Sequence, residues 1–305
     1  MTSNTHTRFV YLLLLLCCSQ AVYSQDLIQK TFSGIQKLEL NAGSIEVSYQ
    51  GQEDLETIQL EAFLGSNENS DKTLLMVTVG NTLKIAYEPP REYGHQKKFI
   101  RLKGPASIEL DFVNGSGSLS VAGVRAEHTR LRVGSGQIQA REISGEVWAK
   151  GSSGTIRLES IHGDVTCLLT SGNATLHQID GNLSFTATSG QLHASSVDGV
   201  LNARLTSGNM RLKQIVELGK LEITSGNIHA DQAGLGRETY FSGSSGNINV
   251  RTTSDLTVYN FELQAGSGNI RVASQAQPGS LHIRNGDFPT IKGKINSGNI
   301  AIVPI

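Results

Sequence analysis

Ser171–Thr188 reads SGNATLHQIDGNLSFTAT, and the same frame recurs on both sides of it. Ser-Gly pairs open at Ser135, Ser153, Ser171, Ser189, Ser207 and Ser225, at a constant interval of eighteen. Looser copies open at Ser116, Ser245, Ser267 and Ser297, where the interval widens to nineteen, twenty, twenty-two and thirty. A constant short period identifies one supersecondary unit stacked on copies of itself, each burying against its neighbours a face it could not bury alone.

Counting the serine as position 1, apolar or small residues fall at positions 4, 6, 9, 13, 15 and 17. In the copy from Ser153 these are Ile156, Leu158, Ile161, Val165, Cys167 and Leu169; in the copy from Ser189 they are Leu192, Ala194, Val197, Leu201, Ala203 and Leu205. Alternation at 4 and 6, and again at 13, 15 and 17, has a period of two, so each copy holds two short half-buried strands. Helix is excluded by the glycine content and by the lack of three-to-four spacing. Glycines at position 2 (Gly172, Gly190, Gly208) and position 11 (Gly145, Gly163, Gly181, Gly199) mark the corners, where a residue free of Cβ reverses the chain. The fold class that follows is all-β: a parallel β-solenoid (β-helix) with 18-residue coils and two short strands per coil. Asn173, Asn209, Asn227, Asn247, Asn269 and Asn299 follow the Ser-Gly pair and are expected to stack as an amide ladder that steadies the corner.

Residues 1–24 look like an export signal: Arg8 precedes the apolar run Phe9–Leu16, which is far short of the ~20 residues that span a bilayer. Cleavage after Ala21 or Ser24 fits a small-residue rule; Cys17 and Cys18 raise the alternative of lipidation, although neither follows a small residue. Residues 25–114 read as irregular N-terminal β coils or a cap, with strand-like runs at Thr57–Leu64, Leu74–Val79, Leu83–Tyr87, Ile100–Leu102 and Ser107–Val113. Polar insertions interrupt them at Ser66–Lys72 and Glu88–Lys98. Asn41–Val47 echoes Asn114–Val121, and the distance from Ser44 to Ser116 amounts to four periods. Residues 115–305 form the regular solenoid, and Pro304 is expected to blunt its open end.

Catalysis needs acids, bases or nucleophiles converging in a cleft, and the repeat places the candidates in outward columns instead. His177 and His193 fall on adjacent coils, but no third metal ligand accompanies them. Asp164, Asp180 and Asp198 read as solvated corner residues, since stacked acids repel and the glycine- and aspartate-rich nonapeptide of calcium-binding β-rolls is missing. Trp148, the sole tryptophan, stands at outward position 14, either as a sugar-stacking platform or packed against a neighbouring loop. Cys167 is an inward hydrophobe. No catalytic, cofactor-binding or metal-binding residue is assigned. Net charge is −1 with scattered lysines and arginines, which argues against nucleic acid. The hexapeptide acyltransferase solenoid is rejected because its aliphatic residue every six positions is absent.

The SGNI- and SGQI-type strands, alternating with Ile143-Ser144-Gly145, Ile161-His162-Gly163 and Ile179-Asp180-Gly181, resemble a bacterial "putative adhesin" family of unknown function. That family is related to the head domain of autotransporter adhesins. The likeness covers Gly115–Ile305, with Gly104–Leu110 resembling its lead-in. It implies an exported, non-enzymatic protein of the cell envelope, in the periplasm, at the outer membrane or on the cell surface. Its partners would be an envelope protein or glycan met along a repetitive surface, with self-association through the solenoid ends a further expectation. Two alternatives stand beside this: a polysaccharide lyase or hydrolase of the β-helix type, which a groove clustering Asp with Arg or Lys would favour, and a structural protein that polymerises through its coil ends.

Overall fold

A computed structural model describes residues 27–65, 73–88 and 97–305. The export signal with Cys17 and Cys18, the insertion Ser66–Lys72 and residues 89–96 of the second insertion lie outside the described residues. The strands, in order, are β1 (Leu27–Ser33), β2 (Lys37–Asn41), β3 (Glu46–Gln52), β4 (Thr57–Phe63), β5 (Leu74–Val79), β6 (Thr82–Tyr87), β7 (Phe99–Pro105) and β8 (Glu109–Asn114). They continue with β9 (Ser118–Val133), β10 (Gln137–His162), β11 (Val165–Ile179), β12 (Leu183–Thr252), β13 (Asn260–Val272), β14 (Gln275–Ile283) and β15 (Thr290–Pro304). Several of these run unbroken around corners, so both sides of the coil belong to one open 15-stranded sheet.

The expected parallel stack is present. Val147 pairs with Val165 and Ile156 with Ala174; one coil on, Val165 pairs with Leu183 and Leu176 with Ala194, so each step of the stack advances the chain by one full repeat. The six apolar positions of the quoted coil, Ala174, Leu176, Ile179, Leu183, Phe185 and Ala187, are all buried, as are their equivalents in the coils before and after. Each buried leucine or isoleucine contributes on the order of 2 kcal/mol relative to an exposed one, and the row repeats coil after coil. Near the N-terminus aromatics fill the same space. Tyr49 meets Phe112 edge-on at 6.2 Å between ring centres, and its hydroxyl donates to the Pro105 carbonyl at 2.7 Å.

The two corners differ in a way that the glycines alone do not reveal. At position 2 the backbone is in the glycine region, φ +131° at Gly190, and a Cβ there would collide with the carbonyl oxygen of Gly172 one coil below. At the other corner a non-glycine residue, position 8, is left-handed throughout: Glu142, Ser160, Gln178, Ser196, Gln214 and Gln232 all sit at φ between 53° and 56°, whereas of the position-11 glycines only Gly145 (φ 120°) and Gly163 (φ 157°) have positive φ. Gly181 and Gly199 are needed for contact instead, because a Cβ on Gly181 would strike the backbone of Gly163.

Stacking order departs from chain order at both ends. The coil made by β2 and β3 lies between the β6–β7 coil and the coil made by β8 with the start of β9: Leu38 pairs with both Leu83 and Leu110, and Val47 with both Ile100 and Leu119. The interval from Ser44 to Ser116 is therefore one step of the stack rather than four, and the residues between leave the column and return. At the C-terminal end β15 is inserted between β12 and β13, Ile300 pairing with both Ile248 and Ile270. Pro304 faces Thr252 inside the stack, so it blunts no edge. That end is closed by β14, which runs antiparallel to β13 along both of its sides and carries Pro278.

At the N-terminal end, antiparallel strands finish each side unevenly. β5 covers β6 on one side, while β4 and then β1 cover β7 on the other. β1 therefore projects one strand beyond the last strand opposite, leaving a step at which, among the described residues, β1 and β5 each pair on one side only.

Candidate binding surface

Outward columns of side chains follow directly from the stacking. Beyond the Ser-Gly corner the amide ladder runs through Asn209, Asn227, Asn247, Asn299 and Asn269, in their spatial order. Each asparagine oxygen accepts from the next backbone N–H, for instance 3.1 Å from Asn247 to Asn227 and 2.8 Å from Asn269 to Asn299. Asn173 is not a rung, because its register partners are Thr155 and Gln191. A second ladder occupies the opposite corner: the backbone N–H of Asn182 donates to Asp164 at 2.7 Å, and that of Val200 to the side chain of Asn182 at 2.9 Å. These columns join coils to one another, which is their structural work.

The histidines and acids are dispersed along them. His177 and His193 do not stack, being two positions out of step; His177 contacts the Ser195 hydroxyl at 2.9 Å, and His193 lies 3.0 Å from Arg211. Asp180 pairs with His162, and no group of three metal-ligating side chains exists among the described residues. Cys167 is fully enclosed, and burial pushes its thiol up to about 12. The column at position 8, which the apolar period does not mark, couples coils through Ser160 and Gln178 at 3.0 Å. Its signal is nonetheless in the sequence, since Glu, Ser or Gln fills that place from Glu142 through Gln232.

One lateral area differs from the rest. On the side formed by β8, the second half of β9 and the middle of β10, Asp111, Arg130 and Trp148 are successive register partners on three stacked coils. Trp148 is half-buried there and lines a groove of about 260 Å³ together with Asp111, His128, Arg130, Arg132 and Glu146. Arg132 Nη2 holds Asp111 Oδ1 at 2.5 Å across one flank, and His128 Nδ1 meets Glu146 Oε2 at 3.1 Å on the other. The row continues past Asp111 to Glu39, whose carboxyl is held below the usual range by hydrogen bonds from Lys84 and Lys37, each at 3.0 Å. Beyond Trp148 the same row becomes Thr166 and then Ser184. A flat aromatic ring among hydrogen-bonding ions can take an apolar ring face and its hydroxyls together. The spacing pointed to Trp148, but not to its neighbours: Asp111 and Arg132 come together only because the irregular coil is stacked on the regular one.

The sequence pattern of the Toastrack DUF4097 family matches residues 29–178 and again 161–303. The chain belongs to this family. Among solved structures, a "putative lipid binding protein" of Parabacteroides distasonis is similar in fold, with a TM-score of 0.51 at 17% identity over 91% of this chain and 96% of that one. A "putative adhesin" of Bacteroides fragilis aligns with a TM-score of 0.45 at 12% identity over 92% of this chain and 98% of that one. No curated protein matches. The Toastrack pattern spans both the irregular and the regular coils, and among the described residues no helix is long and apolar enough to cross a membrane.

Proposed function

We propose that this Toastrack chain is an exported, non-enzymatic solenoid of the cell envelope whose lateral face contacts a glycan. The observation that carries this is the Trp148 groove, where the one tryptophan stands among paired ions on a row of side chains about 4.8 Å apart. A saccharide has an apolar ring face for the indole and hydroxyls for Asp111, Arg130 and Glu146. Neighbouring rungs of threonine, serine and asparagine allow further units of an extended polymer to be met in line, so that weak contacts add up along the column. The leader at residues 1–24 supports export into the periplasm or beyond.

The test is retention of the mature protein on isolated envelope polysaccharides, compared with Trp148→Ala. Loss of stacking is expected to weaken retention by about tenfold or more, equivalent to roughly 1.4 kcal/mol, with the far-ultraviolet dichroism unchanged. Retention that is equal in both proteins, or absent in both, defeats the proposal.

A second reading is favoured by the same groove: it brings Asp111 and Glu146 beside Arg130, Arg132 and His128, as a polysaccharide lyase or hydrolase requires. The Asp111–Arg132 pair argues for a binding role, since an acid committed to a guanidinium is poorly placed to move a proton. Release of unsaturated or reducing ends from polyuronic acids, abolished by Glu146→Gln, would establish the enzyme.

A further inference from the structure

We infer that the step at the N-terminal end of the stack is an acceptor for an extended peptide, which adds to β5 as the strand that end lacks and meets Lys30 with a carboxylate. This surface is separate from the Trp148 groove and does not depend on it.

β5, Leu74-Leu75-Met76-Val77-Thr78-Val79, is uncharged throughout and, among the described residues, pairs on one side only, with β6. Its outward residues Leu75, Val77 and Val79 are 48%, 55% and 60% exposed. Its inward residues Met76 and Thr78, opposite Ile85 and Leu83, are only partly covered or exposed. A run apolar on both faces belongs to a strand with neighbours on each side, and free apolar edges are normally guarded by charge, proline or a bulge. The opposite end of the molecule has such a guard in β14 with Pro278. Among the described residues the β5 edge has none.

The chemistry of the occupant is read from β1. Because β1 extends one strand past β5, its inward residues face the place where the added strand would lie. Those residues are Ile28, Lys30 and Phe32, which share a face with buried Ala62, Leu60 and Ile58. A lysine at an inward position is costly unless it is solvated or paired, and Lys30 is exposed, with no partner among the described residues. A second copy of this chain is disfavoured as occupant, since joining two stepped ends would bring Lys30 against its equivalent. A strand with an acidic residue at its central inward position satisfies the lysine. Apolar residues on its outward face extend the Leu75, Val77 and Val79 stripe, and its backbone groups satisfy the free edge, as in β-strand addition.

The experiment uses the full mature chain and a synthetic peptide, Val-Thr-Val-Asp-Val-Thr-Val, with a matched peptide bearing Lys in place of Asp. Fluorescence anisotropy is expected to show the Asp peptide binding about tenfold or more tightly than the Lys peptide. Lys30→Glu should reverse that order, which a variant that simply failed to fold could not do. Lys213→Glu, on the regular coils, should leave it unchanged. Amide exchange should slow within residues 74–79 when the Asp peptide is bound. Equal binding of the two peptides, no reversal by Lys30→Glu, protection confined elsewhere, or binding of neither peptide each overturns the inference. So does concentration-dependent dimerisation that masks the β5 amides.

Discussion

An alanine at position 190 would drive its methyl group into the Gly172 carbonyl and hold a left-handed backbone that alanine resists. Two adjacent coils would have to separate, so Gly190→Ala is expected to cost about 3 kcal/mol or more, read as a fall in thermal midpoint. Gly279→Ala is the control: φ is +78° but no atom lies within 4 Å, so only the backbone term of about 1 kcal/mol remains. Position 8 behaves in the opposite way. Gln214 already holds φ 54°, and Gln214→Gly, which relieves strain but loosens the unfolded chain, should change stability by less than about 1 kcal/mol. Thr129 stands at a core position between Leu110 and Val147 with its hydroxyl buried and without a hydrogen bond. Thr129→Val should therefore stabilise the fold by about 1 kcal/mol in denaturant titration. The buried thiol of Cys167 gives a pH signature. Its folded value lies near 12 and its unfolded value near 9, so the native state keeps a proton that the unfolded state has lost. Stability should fall as pH rises from about 9 towards 12. Tyr49, also raised by burial, acts in the same direction. Native protein should resist thiol reagents at pH 8 and react once unfolded.

Between residue and molecule, a coil's identity and a coil's address are different kinds of information. The repeating frame specified each coil because inward positions 4, 6, 9, 13, 15 and 17 must be apolar wherever the coil stands, and every inward residue in the three coils from Ser153, Ser171 and Ser189 is buried. Stacking order was not legible, because the copies at Ser267 and Ser297 offer the same inward face and the same Ser-Gly corner. Either could follow β12; the lengths of the intervening loops decide, and those loops carry no periodic signal. The groove was hidden for a different reason: Asp111 stands nineteen residues before Arg130 and Arg130 eighteen before Trp148, but Asp111 lies in the irregular part of the chain, where no Ser-Gly corner marks the frame. Inserted order makes a prediction. Removing residues 290–305 takes away the layer between β12 and β13, so amide protection should collapse over 260–283 as well. A stack built in chain order would keep those residues protected and lose only its last coil.

For the molecule as a whole, the glycine column, the two asparagine ladders and the shared core fix neighbouring coils at one spacing and one register. Outward residues consequently form straight rows, and a change on one rung leaves the others in place. Substitutions along the lateral face should thus be nearly additive for residues on distant coils and coupled for those on adjacent ones. Trp148→Ala combined with a change at Ser184, two rungs away, tests this directly: the pair should sum to within about 0.5 kcal/mol in binding. The ends follow other rules, since one finishes in a returning strand that carries Pro278 and the other, among the described residues, steps down to the apolar strand β5.

A tug on the carboxyl terminus does not peel a loose outer turn. It must slide β15 out from between two neighbours that each grip it along its length. Under traction the molecule should therefore hold at β15 until two ladders shear at once.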